Sequence, residues 1–179
     1  MLPPDAQELA ALADAQAARA GTETLVDLDR AADEMLESAA ALIAAGRHWH
    51  AVYLAGYAAE CLLKVAALRA AGAAITAPAF PAYSTHKRLV KTRRPAAAKV
   101  PELYHDLRFW LTSLVLHRRE RGRPLSPLLD DRLRRAVRGV GRWRWVGMRY
   151  RYLRVDRVVA ERVYHEVRWL ARRRVALWS

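Results

Sequence analysis

The residues whose types and spacing most suggest chemistry are Tyr57, Glu60 and Lys64. Offsets of three and four place them along one ridge of a helix, and a glutamate four residues before a lysine is the favoured order for an ion pair. Their surroundings are unusual. Glu60 is flanked by Ala58, Ala59, Cys61, Leu62 and Leu63, so its carboxylate is expected to leave water and to need a cation or several donors, which Lys64 or a distant arginine must supply. Two readings stay open, a structural network fixing helix register and a binding or catalytic carboxylate.

The second group is a basic run with aromatics in it. From Arg134 to Arg174 there are fourteen arginines against Asp156, Glu161 and Glu166, and Trp143, Trp145, Tyr150 and Tyr152 interleave with the first of them. Guanidinium groups pair with phosphates and aromatic faces stack on unpaired bases, chemistry that suits RNA or single strands. The alternative is that the tryptophans anchor the core and the arginines answer buried acids. A mixed arrangement turns Trp145 and Arg149 inward and Arg142, Arg144, Arg151 and Arg154 outward.

Other chemistry finds little support. His48 and His50 are about 200° apart around a helix, and the six histidines show no pair at i, i+4, so a metal site is not expected. Phosphate-loop and dinucleotide-binding glycine patterns are missing, and no serine sits in a glycine-flanked elbow; no cofactor is expected. Cys61 is the only cysteine, which excludes an intramolecular disulfide and suggests a reducing cytoplasmic setting. In its apolar run it reads as a packed thiol rather than a nucleophile.

The elements that must position these groups are helices. Alanine and leucine dominate the 179 residues, glycines number only 8 and hairpin turn signals are missing, so the chain reads as all-α. Asp5 and Glu8 start a peripheral helix to about Arg19. Thr24 or Asp27 starts the next, with an apolar stripe from Leu28 to Ile43 and an end at Gly46. Arg47 to about Ala71 is apolar almost all round and is expected to be the central helix; its apolar stretches are too short to predict a membrane span. Gly72 to Ser84, with Pro78 and Pro81, is expected to be a loop. A short helix over Thr85–Val90 and an exposed basic loop over Lys91–Pro101 are expected next. A helix from about Glu102 to Arg121, a short one over Leu128–Val137 ended by Gly139 to Gly141, an extended or loop-like Arg142–Arg154 and a last helix capped by Asp156 and reaching about Val175 complete the order. One domain is expected over residues 24–179, with an acidic helical extension over 1–23.

Charge is divided along this order. Residues 1–45 hold nine acids and two bases, whereas residues 46–179 hold nine acids and 29 bases, within a total of +13. The positive field therefore belongs to the later helices and biases them toward polyanions.

The segment LAGYAAECLLK, Leu54 to Lys64, resembles the signature helix of the HEPN family, helical bundles named for nucleotide binding in higher eukaryotes and prokaryotes. The amphipathic helix ending at Gly46-Arg47, the His105-Asp106-Leu107 helix start and Trp145, Arg149 and Tyr150 before a terminal amphipathic helix resemble it in order, over about residues 27 to 174. The resemblance implies an up-and-down bundle of four or five helices, paired as a homodimer or docked on a partner such as a nucleotidyltransferase or a defence-system subunit. Many members are metal-independent RNases of toxin-antitoxin or antiviral defence systems, with an Arg separated by four to six residues from a His that follows it. Here Arg162 lies too close to His165 and Arg157 too far, and no other histidine fits. The expectation is a non-catalytic or degenerate member that binds RNA or another anionic partner. An endoribonuclease with an atypical site drawn from Glu60, Arg149 and His165, and an adaptor docking on an acidic protein, are the alternatives.

Overall fold

The computed structural model describes residues 23–84, 86, 105–143 and 154–179. These residues form an all-α bundle with five long helices: α1 Leu25–Ala44, α2 His48–Ala70, α3 Leu107–Glu120, α4 Pro127–Gly141 and α5 Arg157–Trp178. The extension expected over 1–23 apart from Glu23, the helix expected from Thr85 to Val90 apart from His86, and the loop 91–101 lie outside the described residues.

Four of the five helices begin on a side chain that accepts an otherwise unpaired backbone N–H. Thr24 and Asp27 form a reciprocal capping box at α1, in which the Asp27 carboxylate accepts from the Thr24 backbone N–H at 2.8 Å. Asp106 accepts from Arg108 N–H at 2.8 Å and Asp156 from Val159 N–H at 2.8 Å. Ser126 caps α4 with Pro127 at its first position, where a missing N–H costs nothing. The exception is α2, whose N-cap Arg47 makes no side-chain cap. Burial holds this helix in place.

Sixteen of the 23 residues of α2 are buried, because α1, α3 and α5 all pack on it. It is long and apolar enough to cross a membrane, but 83% of its most apolar stretch is buried within the bundle. The other helices each offer one stripe. In α4 that stripe is Leu133, Ala136, Val137 and Val140, and in α5 it is Ala160, Val163, Val167, Leu170, Ala171 and Leu177.

Helix direction can be read from which ends meet. Arg69, Arg118, Arg121 and Trp178 line one opening, so the C-termini of α2, α3 and α5 lie together. Leu25 and Val26 donate backbone bonds to Ala77 and Ile75 just beyond α2, and Arg174 near the end of α5 pairs with Asp29 and Asp33 of α1. The start of α1 is therefore at this same end, and α1 runs opposite to α2. Ser126 and Leu128 share a second opening with Trp169 and Arg173, which sets α4 opposite to α5.

Three expected boundaries are corrected. Residues 79–84 are helical, where a loop was expected. Pro81 falls in the first turn, whose N–H groups have no helical partner, so it does not break the helix. The glycines at 139 and 141 do not end α4, which continues to Gly141 because Val140 is 1% exposed and keeps the last turn on the core. The final helix likewise runs past Val175 to Trp178, since Leu177 is buried.

Candidate functional site

Glu60 lies in the middle of α2 with its side chain 3% exposed. Lys64, one turn on and almost as buried, forms an ion pair with it. A second cationic or hydrogen-bonding group comes from outside the helix: His105, immediately before the cap of α3, places Nδ1 3.0 Å and 3.1 Å from the two Glu60 oxygens. Among the described residues, then, the carboxylate is matched by a lysine of its own helix and a histidine 45 residues away. The Lys64 ammonium also lies 5.9 Å from the centroid of the Trp110 ring, the largest fully buried side chain.

The His105 side chain is 42% exposed although its partner is buried. A carboxylate accepting from Nδ1–H fixes the imidazole tautomer with Nε2 as the base, the arrangement by which a general base is oriented. Tyr57 is half-buried, edge-on to Tyr53 with ring centroids 5.0 Å apart, and Tyr53 stacks on Trp49 at 6.0 Å. The three aromatics form a ladder along α2 beside the Glu60 ridge.

Of the other sequence-based site residues, His165 is exposed on α5 with its ring against Tyr164 at 5.5 Å, and no bond joins it to Glu60 among the described residues. Arg142 and Arg154 are exposed, as expected. Arg144, Trp145, Arg149, Tyr150 and Arg151 lie outside the described residues.

Sequence reasoning missed a second buried polar pair. His117 of α3 places Nε2 3.2 Å from Nδ1 of His86, and its own Nδ1 lies 3.1 Å from a Glu120 oxygen. With His117 neutral, its Nδ1–H donates to Glu120 and its Nε2 accepts from His86. The His86 ring stacks on Trp110 at 5.6 Å, and its Nε2 is buried with no hydrogen-bond partner among the described residues. Burial, with His117 adding to it, pushes the His86 imidazole down to about 4. Thirty-one residues separate the two rings, and no local spacing announces the pair.

Cys61 is 8% exposed and burial pushes its thiol up to about 11, which makes it a packing group. Among the described residues no group of three or more His, Cys, Asp or Glu side chains could hold a metal ion.

The arginines divide into two populations. Arg132 pairs with Glu166, Arg134 with Asp130, Arg135 with Asp131, Arg157 with Glu161 and Arg174 with Asp29 and Asp33. Arg138, Arg142, Arg154, Arg162, Arg172 and Arg173 are exposed, with no ion pair among the described residues. Some arginines therefore answer acids of the fold, and others are exposed without an ion pair among the described residues. Compared with known protein families, with curated proteins and with solved structures, the chain matches none.

Proposed function

We propose that this chain is a HEPN-like helical protein that binds RNA through the arginines of its later helices and does not cut it. The observation that carries the reading is the surplus of exposed arginines left on α4 and α5 after the acids within reach have been paired. Unpaired guanidinium groups on a rigid bundle neutralise backbone phosphates, and the released counterions supply affinity. The order of elements is the support for the family: an amphipathic helix, an apolar helix carrying Tyr57, Glu60 and Lys64, a helix opened by His105-Asp106 and a terminal amphipathic helix. In that setting the chain serves a prokaryotic toxin-antitoxin or defence system, as a homodimer or bound to a partner subunit.

Purified protein incubated with end-labelled single-stranded RNA tests both parts at once. Retention of intact RNA at low ionic strength supports the proposal. Absence of any retention there, where phosphate neutralisation contributes most, favours an adaptor that docks on an acidic protein.

One observation favours a second reading, a metal-independent endoribonuclease. The Glu60 carboxylate holds the His105 imidazole in the orientation a general base requires, and such a base can take the 2′-hydroxyl proton. Cleavage lost in both His105→Ala and Glu60→Gln, with folding intact, would establish it in place of the first.

A further inference from the structure

Four arginines meet where α2, α3 and α5 end. Arg69, Arg118, Arg121 and Arg123 line an opening of about 30 Å³ together with Ala70, Trp178 and Ser179. Three of them are tied to backbone carbonyls: Arg69 donates to Ala73 O at 2.7 Å, Arg121 to Ala71 O at 2.9 Å and Arg118 to Leu177 O at 3.3 Å. The bonds fix the guanidinium groups without neutralising them. No carboxylate side chain among the described residues lies within ion-pair distance of any of the four.

The helix ends offset part of this charge. Each helix C-terminus is worth about half a negative charge, so three of them offset only part of the four guanidinium charges. The surplus is visible in the side chains themselves. Arg118 is held below its ordinary range by burial and by Arg123 beside it, and the Nε groups of Arg69 and Arg118 are buried with no acceptor among the described residues. Unanswered donors and like-charged neighbours are costly, and an oxyanion in the opening would offset the crowded positive charge.

The place is built rather than incidental. Gly72 has φ +102°, and a Cβ there would collide with the Arg121 guanidinium, so the glycine both makes the turn after α2 and leaves the space that Arg121 fills. The opening has room for roughly two water-sized positions, which suits a compact tetrahedral anion and excludes a nucleobase.

We propose that Arg69, Arg118, Arg121 and Arg123 form a binding site for a phosphate dianion, either free inorganic phosphate or the terminal phosphate of a nucleic-acid strand. The site is separate from the surface of α4 and α5 proposed to hold RNA, and it does not depend on that reading. A chain that bound no RNA would still bind phosphate here.

The test is thermal unfolding and calorimetry with inorganic phosphate in a low-salt, phosphate-free background. Wild-type protein is expected to gain several degrees in Tm at millimolar phosphate. Arg123→Gln, which removes a guanidinium group with no carbonyl bond among the described residues, should weaken phosphate binding at least tenfold. It should also leave the unliganded Tm unchanged or raised, since a repulsive charge is gone. Gly72→Ala, which dislodges Arg121, should weaken binding as well, and Arg142→Gln should not. Competition by RNA with a 5′-phosphate, but not by the same strand with a 5′-hydroxyl, identifies strand ends as the source, and competition by neither identifies free phosphate. Equal competition by both would overturn the proposal by showing that backbone diesters occupy the site. No phosphate-dependent rise in Tm, or an equal rise in wild type and Arg123→Gln, would overturn the site. RNA retention without that rise would sink this proposal and leave the RNA-binding reading standing.

Discussion

The middle of α2 and its C-terminal end handle charge in opposite ways. At Glu60 a single carboxylate is buried and matched at once by Lys64 and His105; at the helix end, Arg69, Arg118, Arg121 and Arg123 collect with no acid among the described residues to answer them. The first arrangement keeps every charge inside the fold and fixes how α3 lies on α2. The second leaves positive charge that no acid among the described residues answers. Net charge alone would not separate them, because both draw on the same helix; the difference lies in whether a partner sits within bonding distance.

The largest effect that could break this contrast is at Glu60. Glu60→Ala leaves the Lys64 ammonium buried without its carboxylate and should cost about 3–5 kcal/mol in urea-induced unfolding. Glu60→Met combined with Lys64→Met should recover most of that loss, because the pair is costly mainly when broken. A double variant as unstable as the single would show that the pair contributes more than mutual neutralisation.

The next effect concerns His86, whose unfolded value is 6.5 and whose folded value is about 4. The folded state resists protonation, so the group's contribution is fully present above about pH 6.5, falls as pH drops through this range and is gone below about 4. Melting temperature should decline over that window in the wild type and decline less in His86→Gln. An identical decline in the variant would assign the acid sensitivity elsewhere.

A smaller effect is expected at the caps. Asp156→Ala removes the acceptor for Val159 N–H at the start of α5 and should cost about 1 kcal/mol by the same unfolding measurement. The smallest is at Cys61, whose buried thiol should stay unmodified by alkylating reagents in native protein and react once the protein is unfolded in urea.

How much of this the sequence disclosed depends on the range of the interactions. Thr24 and Asp156 act on the next few residues, so those helix starts were legible from local pattern, whereas the helix expected from about Glu102 begins only at Leu107, on the Asp106 cap. The apolar run around Ala55 to Ala70 disclosed the central helix for the same reason, since a segment apolar on every side can only be buried. Pro81, Gly139 and Gly141 misled because their effect depends on position within a helix. Proline is harmless in the first turn, and the glycines are held in register by Val140. Glu60 could be recognised as needing a partner, but not that His105 supplies it, and the His86–His117 pair gave no signal at all. Pairings across 45 and 31 residues are products of packing, and periodicity carries no information about them.

The central claim, that surplus arginines on the later helices hold RNA, is tested most directly by the affinity for a labelled single-stranded RNA measured across a salt series. The logarithm of affinity should fall linearly with the logarithm of salt, with a slope of several counterions, and Arg142→Gln with Arg154→Gln should reduce that slope by about one for each phosphate no longer neutralised. An affinity that does not change with salt, or a slope untouched by removing both arginines together with Arg172 and Arg173, would contradict it.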